Sequence, residues 1–435
     1  MLAIMLDFSR RAFLKTALVA GSLPLSAANF TLTGGDHLFL DDLSRRAFLY
    51  FWEQADPHTG LVLDRAAVDG RQRAGHSVDV ASTASTGFAL TACCIASERH
   101  WIDPNAARER VRATLRHLAF EQVHQFGWYY HFVNRKSGER AWNCEVSTID
   151  TALLLAGALT AQQCFSSDNE IFRLVQEIYE RVNFAWMLDA ASGYLRMAWK
   201  PESGFLPPLW VDYRENVILH ILALGSPASA IPVETWYRFA RDPIVFSNFA
   251  WVGRGPIFTH QFPQAYLDLS KLRDGQPYGI NYFENSVIAT CAHREYCLSL
   301  RSLYPGFSEN LWGVTPSDSS IGYVIWGGWD GRHLRHDLDG TVVPCAAAGS
   351  LMFAPQICLP ALRAMRENFG ELAYGRYGFA DAFHPGAGWV DPEVVGIDLG
   401  ITLLSAENLR SRQVWNWFMQ ASPIQRAIGK VFQPC

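Results

Sequence analysis

Two kinds of apolar stretch take turns along the chain. Residues 82–97 (STASTGFALTACCIAS) contain no charged position, and residues 147–163 contain only Asp150. A helix that is apolar around its whole circumference has to be enclosed by protein. Residues 105–125 differ: Arg108, Glu109, Arg112 and Arg116 give one wet face, and 169–188 is amphipathic too. The alternation continues with 213–224, mostly apolar, a short mixed helix at 232–241, and a helix at 282–302. After an irregular aromatic stretch at 304–341 come amphipathic 354–369, apolar 397–408 and a closing helix at 411–420. The run from Ser44 through Tyr50-Phe51-Trp52-Glu53-Gln54 reads as a first helix.

Enclosed helices alternating with half-enclosed ones predict an inner ring wrapped by an outer ring. The expectation is an all-α (α/α)6 toroid. Strand-like runs are few, at 127–133, 193–199 and 322–326, and read as short hairpins at one mouth of the barrel. No fixed repeat and no low-complexity linker divides the chain. Residues 29–435 are therefore expected to form a single domain.

The first 28 residues read as an address. Ser9-Arg10-Arg11-Ala12-Phe13-Leu14-Lys15 has the form of a twin-arginine export signal. The apolar stretch from Thr16 to Leu25 is too short to span a bilayer. Ser26-Ala27-Ala28 offers small residues for cleavage after Ala28. A periplasmic or secreted protein is expected, without stable membrane insertion after processing, and as a monomer.

Composition narrows the partners. Hydrophobic residues make up 49% of the 435 and charged residues 18%, which excludes intrinsic disorder. A net charge of -5 without a basic block argues against nucleic acid. Nine cysteines without a C-x-x-C pair indicate neither a zinc site nor a disulfide framework. The sequence has no zincin, P-loop, nucleophile-elbow or dinucleotide motif, so no metal and no cofactor is expected. The 15 Trp, 15 Tyr and 27 Phe suit a large core, and equally a cleft that stacks on flat apolar faces.

What remains is carboxylates where apolar helices start: Glu145 and Asp150, Glu215, and Asp398. Each also has a structural explanation. Ser147-x-x-Asp150 has the form of a capping box, Asp212-x-x-Glu215 has a similar shape, and Asp398 suits an N-cap. Their joint placement adds something. Inner helices of a toroid run parallel, so these carboxylates converge on one mouth, where helix dipoles and burial act on them in opposite directions. Two carboxyls with separated pKa values are what glycoside hydrolysis requires, one as acid and one as base. Aromatic residues sit nearby in sequence, among them Trp142, Tyr213, Trp326 and Trp329.

A set of ordered motifs makes the reading specific. They include Ser85-Thr86-Gly87-Phe88-Ala89-Leu90, Glu145-Val146-Ser147-Thr148-Ile149-Asp150, Leu222-Ala223-Leu224-Gly225-Ser226-Pro227, and Phe258-Thr259-His260-Gln261-Phe262. Tyr282-Phe283-Glu284-Asn285-Ser286, Leu311-Trp312-Gly313-Val314-Thr315-Pro316, Tyr377-Gly378-Phe379-Ala380-Asp381 and Gly396-Ile397-Asp398-Leu399-Gly400 follow. In these, from about Phe48 to Phe418, the chain resembles the glycoamylase-like family of bacterial (α/α)6 proteins, which includes endo-β-1,2-glucanases. The resemblance implies an anomer-inverting hydrolase of β-1,2-glucan and its oligosaccharides. It implies Glu215 as general acid and Asp398 on the base side, with Glu145 and Asp150 as supporting acids or an alternative base. It further implies substrate contacts from Trp142, Tyr213, His260, Gln261, Glu284, Asn285, Trp326, Trp329 and Asp381. The sequence departs from the family where Tyr213-Arg214-Glu215 replaces Tyr-Asn-Glu, and where Ala228-Ser229-Ala230 follows Leu-Gly-Ser-Pro. Arg214 beside the acid is expected to lower its pKa. An exo-acting hydrolase or a transglycosylase on the same scaffold, a non-catalytic glucan-binding protein, and more weakly a lyase remain as alternatives.

Overall fold

A computed structural model describes residues 30–71, 78–331 and 338–435. The twin-arginine segment and its cleavage site lie outside the described residues.

The inner ring is made of helices that are buried along most of their length. They are α2 (Thr83–Glu98), α4 (Thr148–Cys164), α6 (Asn216–Gly225), α7 (Phe258–Tyr266), α9 (Pro344–Ala348) and α11 (Gly396–Ser411). Each packs on the next, and α11 closes the circle against α2. Outside them lie α1 (Gly34–Glu53), α3 (Pro104–Phe120), α5 (Asn169–Arg181), α8 (Tyr282–Ser299) and α10 (Pro355–Ala373). The chain ends in α12 (Gln413–Gln420) and α13 (Ser422–Val431), and α13 covers the outer side of α6. This is the (α/α)6 toroid that the alternation predicts.

Inner helices approach closely where side chains are absent. A Cβ added at Gly157 of α4 would lie 1.9 Å from the Gly87 carbonyl oxygen of α2, so this crossing admits only glycine. Several inner helices are entered directly from a short strand. Val80–Ser82 runs into α2, Val146–Ser147 into α4 and Glu393–Val395 into α11. These strands pair antiparallel with Phe132–Asn134, Ala198–Lys200 and Arg65–Ala67 respectively. The pairing pins the N-termini of the inner helices at one mouth.

Four expectations need correction. Residues 322–326 form no strand; an isolated bridge joins Ser317 to Val324, and Ile321, Tyr323 and Ile325 are exposed. Residues 232–241 hold only a 3-10 turn, Val233–Tyr237. The last helix is α13, not 411–420. The inner helix α7 was not expected, because its nine residues include Pro263 and buried Gln261 and Gln264, which blur the apolar pattern.

Candidate active site

The carboxylates singled out in the sequence stand at the starts of α4, α6 and α11. Ser147 caps α4 by accepting the Asp150 N–H at 3.3 Å, and its hydroxyl donates to Asp150 Oδ2. The other two helix starts differ from expectation. Glu215 makes no side-chain capping bond, and α11 is entered from Val395 with Asp398 inside its first turn. Neither Glu215 nor Asp398 is needed as a cap, and both are free for another use.

Glu215 is held with one carboxyl oxygen, Oε2, wholly occluded and without a hydrogen-bond partner. Burial pushes its pKa up to about 7, and the Asp150 charge adds to the rise. A backbone hydrogen bond and the Arg214 charge oppose the rise without cancelling it, and the Arg214 guanidinium lies 4.0 Å from Asp212. The expected lowering by Arg214 is thus outweighed by desolvation. Such a group stays protonated near neutrality and is placed to give its proton away.

Glu145 is the opposite case. His131 Nδ1 lies 2.9 Å from Glu145 Oε1, and this hydrogen bond brings the Glu145 pKa down to about 2. His131 Nε2 lies 3.5 Å from Asp150 Oδ1. Burial alone would lower the pKa of His131. The Asp150 charge and the Glu145 hydrogen bond outweigh it and raise the pKa to about 9. An imidazolium therefore ties Glu145 to Asp150, and Asp150 in turn acts on Glu215. Phe132 stacks on His131 at 3.8 Å between ring centres, and Trp142 packs edge-on against Phe132 at 5.0 Å. Trp142 is 52% exposed and leaves a ring face open at the mouth.

A second carboxyl group of residues gathers at α11. Asp398, Asp381 and Cys345 stand together around one small cavity. Burial and the neighbouring carboxyls raise the pKa values of both aspartates, Asp381 the further. A cavity of about 10 Å³ is lined by Cys345, Asp381, Asp398 and Thr402. Arg65 supports the group from the strand opposite. It bonds to Asp64 at 3.1 Å and to Asp318 at 2.5 Å, and lies 3.5 Å from Glu393. Among the described residues, Asp318, Asp381 and Asp391 bring carboxylate oxygens within 4.8 Å of one another, a spacing that suits a cation. The Arg65 guanidinium already occupies Asp318 Oδ2.

The remaining candidates are placed as follows. Tyr213 is buried, stacked on Tyr282 at 4.9 Å, with no ring face open. His260 is buried with Nδ1 3.2 Å from Ser286 Oγ, and burial lowers its pKa to about 3. Gln261 donates to Ala346 O and Ser350 Oγ, tying α7 to α9. Asn285 clamps both backbone groups of Val252. Trp326 is buried and donates to Ser317 Oγ at 3.1 Å, and half-buried Trp329 donates to Val245 O at 2.8 Å. Glu284 is exposed on the first turn of α8, and no hydrogen bond or ion pair links it to the other candidates. His131 and Arg65 escaped the sequence reading. The only local signal for His131 was its place in the aromatic hairpin 127–133.

Comparison with known proteins sets this geometry in context. The Glycoamylase family model matches residues 208–422, which include Glu215, Asp381 and Asp398. This chain is similar to that family over about half of its length, residues 208–422. An exo β-1,2-glucooligosaccharide sophorohydrolase (non-reducing end) of Parabacteroides distasonis is 27% identical over 94% of the chain. The chain spans 60% of the length of that relative. An endo-β-1,2-glucanase from Chitinophaga pinensis, solved with sophorotriose and glucose, superposes with a TM-score of 0.83 at 24% identity. The match covers 93% of this chain and 99% of that one. A β-1,2-glucanase structure from Parabacteroides distasonis gives 0.82 at 24% identity, covering 92% of this chain and 60% of the other. At that identity the two structures establish the (α/α)6 fold.

Proposed function

We propose that this glycoamylase-like protein is a glycoside hydrolase of β-1,2-glucan, with Glu215 as general acid. The observation that carries the reading is the Glu215 carboxyl, its Oε2 occluded and its pKa pushed up to about 7, with Asp150 acting on it and Glu145, tied to Asp150 through His131, brought down to about 2. Separation of this kind divides acid from base duties among carboxyls at one mouth. Asp398 serves on the base side, in an anomer-inverting scheme that activates water directly or through a substrate hydroxyl. Glu145 and Asp150, locked by His131, supply charge and hydrogen bonds to a sugar ring. Trp142 offers the open aromatic face against which a pyranose packs. The 27% identical sophorohydrolase favours an exo-acting variant, against the endo action that the motif resemblance implies. Residues 29–435 act as one catalytic domain, delivered by the twin-arginine segment to the periplasm or beyond.

The test is incubation of the purified protein with linear β-1,2-glucan, and with β-1,3- and β-1,4-glucans in parallel. Products are resolved by chromatography and followed by optical rotation. A ladder of β-1,2-oligosaccharides with inverted anomers establishes endo action, and sophorose alone establishes the exo variant. Binding without turnover would refute the hydrolase reading and leave a glucan-binding protein.

A further inference from the structure

Two buried histidines line one cavity outside the carboxyl groups described above. His260 stands in the first turn of α7, and His293 lies on α8. These helices run antiparallel: Gln264 meets Tyr282 and Ser286, while His260 meets Ser286 and shares the cavity with His293. His293 is thereby brought to the mouth end of α7. The cavity holds about 10 Å³, space for one oxygen-sized group, and is lined by Trp251, Gly255, His260, His293, Gly328 and Trp329. Gly255 and Trp329 are half-buried and the other four are buried, so the way in runs past those two. His260 also packs against Tyr213, with ring centres 5.6 Å apart, two positions before Glu215.

Hydrogen bonds fix where each ring carries its hydrogen. The Val314 N–H donates to His293 Nε2 at 3.0 Å, so that nitrogen is an acceptor and Nδ1 bears the hydrogen. The Ser286 hydroxyl has one hydrogen and gives it to Tyr282 O at 2.9 Å. His260 Nδ1, 3.2 Å from Ser286 Oγ, is then the donor, and its Nε2 keeps a lone pair. Neither His293 Nδ1 nor His260 Nε2 has a hydrogen-bond partner among the described residues. Glycines leave both uncovered: a Cβ at Gly328 would stand 3.1 Å from His293 Nδ1, and one at Gly253 2.8 Å from His260 Nε2. Burial lowers the pKa of His260 to about 3 and of His293 to about 4, so both rings are neutral and suit an uncharged ligand.

We propose that this cavity is a substrate hydroxyl site, in which one glucan hydroxyl accepts the His293 Nδ1–H and donates to His260 Nε2. The proposal rests on the reading of the protein as a β-1,2-glucan hydrolase, and makes His293 and Gly328 part of its substrate recognition. A free donor and a free acceptor match a hydroxyl, which takes one hydrogen and gives another. Trp329 stands at the entrance, where the attached pyranose meets an aromatic ring. A water makes the same two bonds, but the opening past Trp329 and the contact of His260 with Tyr213, next to Glu215, favour the glucan.

The test uses the protein carrying Glu215→Gln, to bind without turnover, and the β-1,2-linked trimer sophorotriose. Nitrogen NMR of the imidazoles should show both rings as neutral Nδ1–H tautomers, and sophorotriose should shift the His293 Nδ1 and His260 Nε2 signals together. Gly328→Ala, at a backbone outside the left-handed region, sets a methyl against His293 Nδ1. Added to Glu215→Gln, it should weaken sophorotriose binding about 10-fold in titration calorimetry, the scale of one hydrogen bond, with Tm nearly unchanged. Sophorotriose that binds yet leaves both imidazole signals in place means that the cavity takes only water, and overturns the proposal. So does a hydrogen on His293 Nε2, or full affinity in the Gly328→Ala protein. No binding of sophorotriose at all would sink the hydrolase reading and this site with it.

Discussion

At Glu215 burial competes with a neighbouring arginine, and burial wins. The carboxyl is protonated up to about pH 7, so the acid form and with it kcat/KM should fall as pH rises through that value. Glu215→Gln removes the proton donor and should lower kcat at least about 100-fold, measured on β-1,2-glucan. The same variant makes a stability prediction with a definite sign. The folded pKa lies above the ordinary 4.5, so wild type carries a penalty that is absent below about 4.5 and complete above about 7. Glu215→Gln should therefore raise Tm at pH 8 and raise it less at pH 5. A gain at pH 5 equal to that at pH 8 would mean that burial does not strain the charge. The position of Glu215 was legible because Tyr213-Arg214-Glu215 opens an apolar helix. Its state was not, because the sequence shows Arg214 beside it but hides the burial that outweighs the Arg214 charge. His131 was illegible for a related reason: its partners Glu145 and Asp150 lie on the next element, 14 and 19 positions away in the chain.

At the scale of elements, the hairpin carrying His131 is fastened to α4 by charge. The raised pKa of His131 gives stability that is full below about 6.5 and lost as pH rises through about 9. The lowered pKa of Glu145 gives stability that is full above about 4.5 and lost as pH falls through about 2. The strap is complete between these bounds. His131→Gln should thus lower Tm most near pH 6, progressively less as pH rises from about 6.5 to 9, and least above that, in a thermal melt series. A second element-level feature is the α2–α4 crossing, where a Gly157 Cβ would meet the Gly87 carbonyl at 1.9 Å. Gly157→Ala gains helix propensity yet should cost at least about 1–3 kcal/mol by overpacking, read from denaturant midpoints. Helices of this kind were the most legible part of the fold, since 82–97 and 147–163 declare their burial on every side. Elements with mixed faces were less so. In α7 the buried amides of Gln261 and Gln264 bind neighbouring helices, so polar letters mark the inside of the ring rather than its surface. At 322–326 the opposite happens: Ile321, Tyr323 and Ile325 alternate like a strand, but they face outward and lie outside the strands of the described residues.

The whole molecule depends on how its ring is closed, and the C-terminal helix takes part in that. Residues 217–225 of α6 are completely buried or nearly so, and between α5 and α7 only the short Val233–Tyr237 turn packs against them, not a full α-helix. The cover is α13, brought from the end of the chain. Pro423 presses so close that a Cβ at Gly225 would lie 2.1 Å from its carbonyl oxygen. Arg426 donates to Gly225 O at 2.9 Å and Lys430 to Leu224 O at 2.8 Å, satisfying carbonyls that the end of α6 leaves open. Phe432–Pro434 then pairs with Leu272–Asp274 and fixes the tail. Since Glu215 sits at the N-terminal end of α6, the tail supports the acid from the far end of the same helix. Deletion of residues 422–435 should therefore abolish cooperative unfolding or lower Tm sharply, because it uncovers an apolar helix and not merely a surface. Arg426→Met is the milder control: it keeps the packing stem, loses charge-assisted bonds worth about 1.5–3 kcal/mol, and should lower Tm while leaving kcat nearly unchanged. If the deletion variant melted like wild type, α6 would need another cover and the ring closure described for this fold would be wrong. If Arg426→Met lowered kcat in proportion to stability, the rigidity of α6 would itself set how well Glu215 is aimed.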